Sequence, residues 1–104
     1  MSRGPDAATA LERALRAAAE AAGCPVAIVA SDWTRWASAT FTGARHSLTL
    51  SAAPGPRLEQ WLAGLGEAEF GLRNYLVADL AVTQMTREGE RVSVAIEALT
   101  VEER

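Results

Sequence analysis

Leu11, Leu15, Ala18 and Ala22 recur at i, i+4, i+7 and i+11, so the chain from Asp6 or Thr9 to Ala22 reads as a helix with one apolar stripe. Glu12, Arg13, Arg16 and Glu20 fall off that stripe. Thr9-Ala10-Leu11-Glu12 has the form of a capping box, and Asp6 is a rival N-cap one turn earlier. Gly23 supplies a left-handed residue to stop the helix, and Pro25 prevents it from resuming.

The period then changes. Residues 26–30 are continuously apolar, which predicts a strand buried on both faces or lying under a helix. A polar break follows at Asp32-Trp33-Thr34, with Trp33, Arg35 and Ala37 pointing one way and Asp32, Thr34 and Trp36 the other. Residues 41–52 form a second strand. His46, Leu48, Leu50 and Ala52 share one of its faces, and Arg45, Ser47, Thr49 and Ser51 share the other. Gly43 weakens its start, as a bulge or a tight hairpin would.

Ala53-Pro54-Gly55-Pro56 is the clearest breaker in the chain. Pro56 suits the first turn of a second helix, in which Leu58, Trp61, Leu62 and Leu65 make an apolar stripe to be buried together with Leu11 and Leu15. Residues 75–85 and 91–101 read as two further strands joined by a hairpin loop at 86–90, with Gly89 at the position that needs positive φ. The order is therefore α-β-β-α-β-β. Each helix has one stripe to bury, so the expected fold is α+β: a four-stranded antiparallel sheet with both helices on one face. All 104 residues belong to one domain, with about five residues at the start and three at the end expected to be flexible.

Composition narrows the classes. Hydrophobic residues make up 49% of the chain with both charge signs interspersed, which is globular rather than disordered. No apolar run is long enough to span a bilayer, and charges interrupt the alanine-rich start where an export signal needs an apolar core, so a cytoplasmic protein is expected. All ten basic residues are arginine. The first fifty residues hold five arginines against four acids and the rest five against nine, so the charge of −3 sits in the second half. Such a chain lacks the broad basic surface that nucleic-acid phosphates require.

Candidate chemistry is sparse, and no enzyme is expected. His46 and Cys24 are the only residues of their kinds and lie far apart in sequence; Cys24 reads as a small buried hydrophobe. One histidine and one cysteine do not make a zinc site. The glutamates at 67/69, 88/90 and 102/103 fall in a link, a hairpin tip and the terminus, where they are solvated, and no glycine pattern makes a phosphate loop. No catalytic residue, metal or cofactor is expected. Asp79 lies mid-strand, where it is either a carboxylate on the open sheet face near Arg91 or Arg45, or a partner across a subunit contact. Trp33 and Trp36 cannot both face one side of a regular strand, so at least one leaves the main core unless both pack under a loop. An exposed tryptophan beside Arg35 has the composition of a protein–protein hot spot. The candidate interface residues are thus Trp33, Arg35, Trp36, Arg45 and Asp79.

Asp32-Trp33-Thr34, then Gly43, then His46-Ser47-Leu48-Thr49-Leu50 resembles a stretch of bacteriophage tail-terminator (tail-completion) proteins, a family that includes relatives encoded by gene transfer agents. The helix at Leu58 to Leu65 and the closing hairpin follow in the order of that family, whose members carry a longer link where Gly23-Cys24-Pro25 stands here. The resemblance implies a structural subunit with no enzymatic role. It implies a homo-oligomeric ring, a hexamer as in the family, capping the head-proximal end of a tail tube, stopping tube growth and docking the head–tail connector. DNA would pass through its lumen without specific binding. The implied location is the cytoplasm during assembly and then a phage-like particle, with no membrane partner. The rival class is a small cytoplasmic ligand-binding or regulatory module of the same layered build.

Overall fold

A computed structural model describes residues 6–103. Helix α1 spans Ala7–Ala21, strand β1 Val26–Ala37, strand β2 Thr42–Ala52, helix α2 Pro56–Gly64, strand β3 Tyr75–Glu88 and strand β4 Arg91–Glu102, with a short 3-10 turn at Leu65–Glu67. The α-β-β-α-β-β order and the α+β class are as expected. The four strands form one antiparallel sheet in the order β1-β2-β4-β3, so β1 and β3 are its edges.

Of the two rival N-caps, Asp6 caps α1. Its Oδ1 accepts the Thr9 N–H at 2.8 Å, and that bond holds the carboxyl below its ordinary pKa. At the other end Gly23, at φ +81°, closes the helix. Its N–H donates to Glu20 O and the Cys24 N–H to Ala19 O, the paired bonds of a Schellman stop. The buried stripe runs through Leu11, Leu15 and Ala19, while Ala18 and Ala22 lie on its flank, half-buried. Cys24 is buried, and burial pushes its thiol pKa up.

Both helices pack on one face of the sheet. Leu11, Leu15, Leu58, Leu62 and Leu65 meet Leu48, Leu50 and Ala52 of β2 and Val92, Val94, Ile96 and Ala98 of β4 in a single core. Trp61 departs from expectation. It packs against this core but stays half-buried, because on a nine-residue helix it lies about 60° off the centre of the Leu58–Leu62–Leu65 stripe. Full burial would make Trp61→Ala cost roughly 3–5 kcal/mol; half burial lowers the expected cost to about 2 kcal/mol, readable by urea denaturation.

Of the two readings of residues 26–30, the strand under a helix holds: Val26 and Ile28 tuck under α1, whereas Ala27 and Val29 are exposed. Two strand expectations need correction. Asp32-Trp33-Thr34 is no break, since β1 runs straight through it, paired with Ser47, His46 and Arg45. The last hairpin is tighter than five residues. Glu88 pairs with Arg91, leaving only Gly89 and Glu90 in the loop, with Gly89 at φ +64°. As for the ends, residues 1–5 and 104, which carry most of the expected flexibility, lie outside the described residues. Glu102 closes β4, and the Glu103 N–H donates to Asn74 O at 2.9 Å.

The sheet outruns its helices. The long axis of the molecule is 44 Å, whereas the 15 residues of α1 cover about 22 Å and the nine of α2 less. Part of each edge strand therefore has no helix over it.

Candidate functional site

Strand pairing assigns a face to each candidate interface residue. Trp33 is paired with His46 and Arg35 with Ala44, so both project on the helix side, beyond the cover of α1. Trp36, paired with Gly43, belongs to the open face, as do Arg45 on β2 and Asp79 on β3. The five residues thus split into two groups. Trp33 is the more exposed tryptophan at 48%, and Trp36 is half-buried.

Arg45 and Asp79 both flank Leu99 on β4, so two strand spacings, about 10 Å of backbone, separate them. Arg91 is no partner for Asp79 either: its Nε donates to Ser51 Oγ at 3.0 Å at the far end of the sheet. Asp79 is instead one of three carboxylates, with Asp32 and Glu97, lining a shallow open-face groove of about 310 Å3 around Arg45 and Leu99. Three acids against one arginine make this groove net acidic.

Gly43 has a steric reason that composition alone did not supply. No register shift occurs at Gly43; the irregularity in that hairpin lies in β1 between Ile28 and Ala30. A Cβ on Gly43 would lie 1.9 Å from Thr100 O and 2.9 Å from Trp36 Nε1. The Trp36 indole therefore rests over the bare backbone of Gly43, an aromatic ring filling the space of a missing side chain. Its Nε1 is buried without a hydrogen-bond partner.

His46 lies on the helix side at 3% exposure, with Nε2 2.9 Å from Oγ1 of the fully buried Thr100. Burial holds its pKa below 6.5, and the charges of Asp6 and Glu12 only partly offset that. The unfolded chain therefore binds the His46 proton more readily than the folded chain. The contribution of His46 is complete above pH 6.5 and is lost as pH falls through the lower, folded value. Urea denaturation between about pH 8 and about pH 5 should show stability falling with pH, and His46→Gln should flatten that slope while the chain stays folded. An unchanged slope would contradict the buried-neutral assignment. Cys24 follows the last turn of α1 whereas His46 lies near its first turns, so the fold does not pair the two. Among the described residues no group of three or more His, Cys, Asp or Glu is placed to hold a metal ion.

The pattern that sequence reasoning missed is on the edges. The large hydrophobic residues left exposed among those described are Val29 at 62%, Trp33 at 48%, Phe41 at 53%, Leu76 at 53% and Met85 at 54%. Val29 and Trp33 lie on β1, Leu76 and Met85 on β3, and Phe41 in the turn between β1 and β2. The central strands and the helices contribute none of them. Val29 could not be found from periodicity, because an unbroken apolar run does not show which of its two faces the helices leave uncovered. No helix among the described residues is long and apolar enough to cross a membrane. No family model, curated protein or solved structure matches this chain.

Proposed function

We propose that this chain is a structural subunit that associates with copies of itself through its sheet edges into a closed ring, acting as a tail terminator does. One observation carries the reading: among the described residues, the exposed large hydrophobics are confined to the two edge strands and the turn beside one of them. An edge strand presents unpaired N–H and C=O groups, and soluble proteins usually guard it with lysine, proline or a very short strand. Here the edges are 12 and 14 residues long, and neither contains lysine or proline. Register shifts in both strands limit how much of each edge can pair, so an apolar contact is needed to complete the joint.

Topology favours a head-to-tail joint. Three antiparallel steps separate β1 from β3, so the two edges run in opposite directions. Rotation about an axis along the strands brings β3 of one copy antiparallel to β1 of the next, and the alternation continues around the ring. If the helices face outward, the open face lines the lumen. Asp32, Asp79 and Glu97 then outnumber Arg45 along that lining, and their repulsion of phosphates would let DNA pass without sticking. The other partners in this reading are the tail tube protein below the ring and the head–tail connector above it. The small-ligand alternative is less well served, since the open-face groove sits at the low end of ligand-pocket volumes and is lined by charges.

Imaging of particles tests the proposal. Tails from cells carrying Trp33→Ala with Arg35→Glu should be irregular, over-long and unjoined to heads. Tails of normal length joined to heads, made with a folded and expressed variant, would overturn it.

A further inference from the structure

We infer that the end of the open sheet face beside the β1–β2 turn is a docking site for a partner-protein segment that carries apolar side chains followed by arginine or lysine. The site is complete within one copy, so it goes beyond the ring reading and does not depend on it.

Strand pairing aligns one row of this face across all four strands. Trp36 on β1 pairs with Gly43 on β2, Gly43 with Val101 on β4, and Val101 with Leu76 on β3. The row spans three strand spacings, about 14 Å. Phe41 extends it. The Ser38 N–H donates to Phe41 O at 2.7 Å, which continues the β1–β2 ladder one step past Ala37 and Thr42 and puts Phe41 on the same face as Gly43 and Trp36. Phe41 and Leu76 are each 53% exposed, while Trp36 and Val101 are half-buried. What Trp36 shows to solvent is carbon alone, because Nε1, the one polar atom of its side chain, is buried. The opposite end of the face is polar, with Ser51, Ser93 and Thr86 in one row and Arg91 and Glu88 beyond it. An apolar surface gathered at one end of a polar face marks a place where another molecule sits.

Charge decides which molecule. One row further in lie Arg45, Leu99 and Asp79, and the row after that holds Asp32 and Glu97. Three carboxylates against one arginine leave this groove net acidic. A second copy laid face to face would press Asp32, Asp79 and Glu97 against their own kind and double the imbalance in a space that excludes water. Nucleic acid or an anionic membrane would be repelled from the same groove. A segment with apolar side chains over Phe41, Trp36 and Leu76 and a basic residue further along meets both surfaces. Extended backbone advances roughly 7 Å in two residues, which is the spacing of the rows. In a closed ring the apolar row becomes a collar at one mouth of the lumen, where a partner on the ring axis enters.

Selection from a library of short random peptides tests this on the immobilised full-length chain. The recovered peptides should combine apolar residues with arginine or lysine, and titration of the synthesised peptides gives their affinities. Phe41→Ser with Leu76→Ser should weaken binding by at least about 30-fold, the loss that hot-spot side chains carry. Asp79→Asn with Glu97→Gln should weaken it by about 5-fold and remove most of its salt dependence, as befits exposed charge pairs. All four of these side chains are exposed, so both variants should melt as the parent does. Recovery of no peptide, of peptides without basic residues, or of peptides whose binding survives Phe41→Ser with Leu76→Ser would overturn the proposal. The chain carrying Val29→Lys and Met85→Lys separates this site from the ring, since it should bind the peptides with unchanged affinity although its edges no longer join. Loss of binding there would show that the site is not complete in one copy. Should that chain still self-associate, and lose this only on adding Phe41→Ser with Leu76→Ser, the occupant is a second copy and the proposal is wrong.

Discussion

Gly43→Ala should cost the fold about 3 kcal/mol or more, at the upper end of what over-packing a protein interior usually does. The added methyl would lie 1.9 Å from a backbone carbonyl, that of Thr100, and 2.9 Å from the Trp36 indole. A flexible side chain could move aside, but Thr100 belongs to β4 and is locked in the β2–β4 ladder next to the buried His46–Thr100 pair. Relief would require the two central strands to separate where they hold the core. Urea denaturation of the purified chain reads the loss. Trp36→Ala in the same chain should not restore stability, because the nearer clash is with the carbonyl. A recovery of most of the loss in the double variant would shift the constraint from the backbone to the indole.

The order of elements, the Asp6 cap as one of two candidates, the αL stop at Gly23 and the inward face of His46, Leu48, Leu50 and Ala52 were all legible in the sequence. Each leaves a local mark, either a residue type at a fixed offset or a period. The continuation of β1 through Asp32-Trp33-Thr34 left no such mark. There the strand runs past the end of the helix layer, so neither face is buried and no apolar alternation develops. The same cause hid the full length of β3. Thr86, Arg87 and Glu88 read as loop because they are polar, yet they pair with Ser93, Val92 and Arg91. Trp61 misled in the opposite direction, since a period of 3.6 places it within the stripe but does not tell its centre from its flank. Of the candidate interface, the alternation of Trp33 and Trp36 was readable. The exposure of Leu76 and Met85 was not, because it depends on β3 being an edge, and edge position is a property of sheet order.

Val29→Lys together with Met85→Lys should abolish self-association while leaving the monomer's stability within about 0.5 kcal/mol of the parent. Both side chains are more than half exposed, at 62% and 54%, so neither anchors the core. Each lies on a different edge, so a head-to-tail joint would bring the two new charges close together, against unpaired backbone, where lysine is an effective guard. Only the assembly should respond. Loss of stability in the monomer would instead show that these residues pack within the chain.

A ring joined from β1 to β3 leaves no free edge, and its closure can be read from mass. Native mass spectrometry of the full-length chain carrying Cys24→Ala, Val29→Cys and Met85→Cys, oxidised at high concentration, measures it directly. The expected result is one discrete species, a single integer multiple of the 11.0 kDa subunit with every thiol consumed. A ladder of open multimers with free thiols at their ends, or the monomer alone, would contradict it.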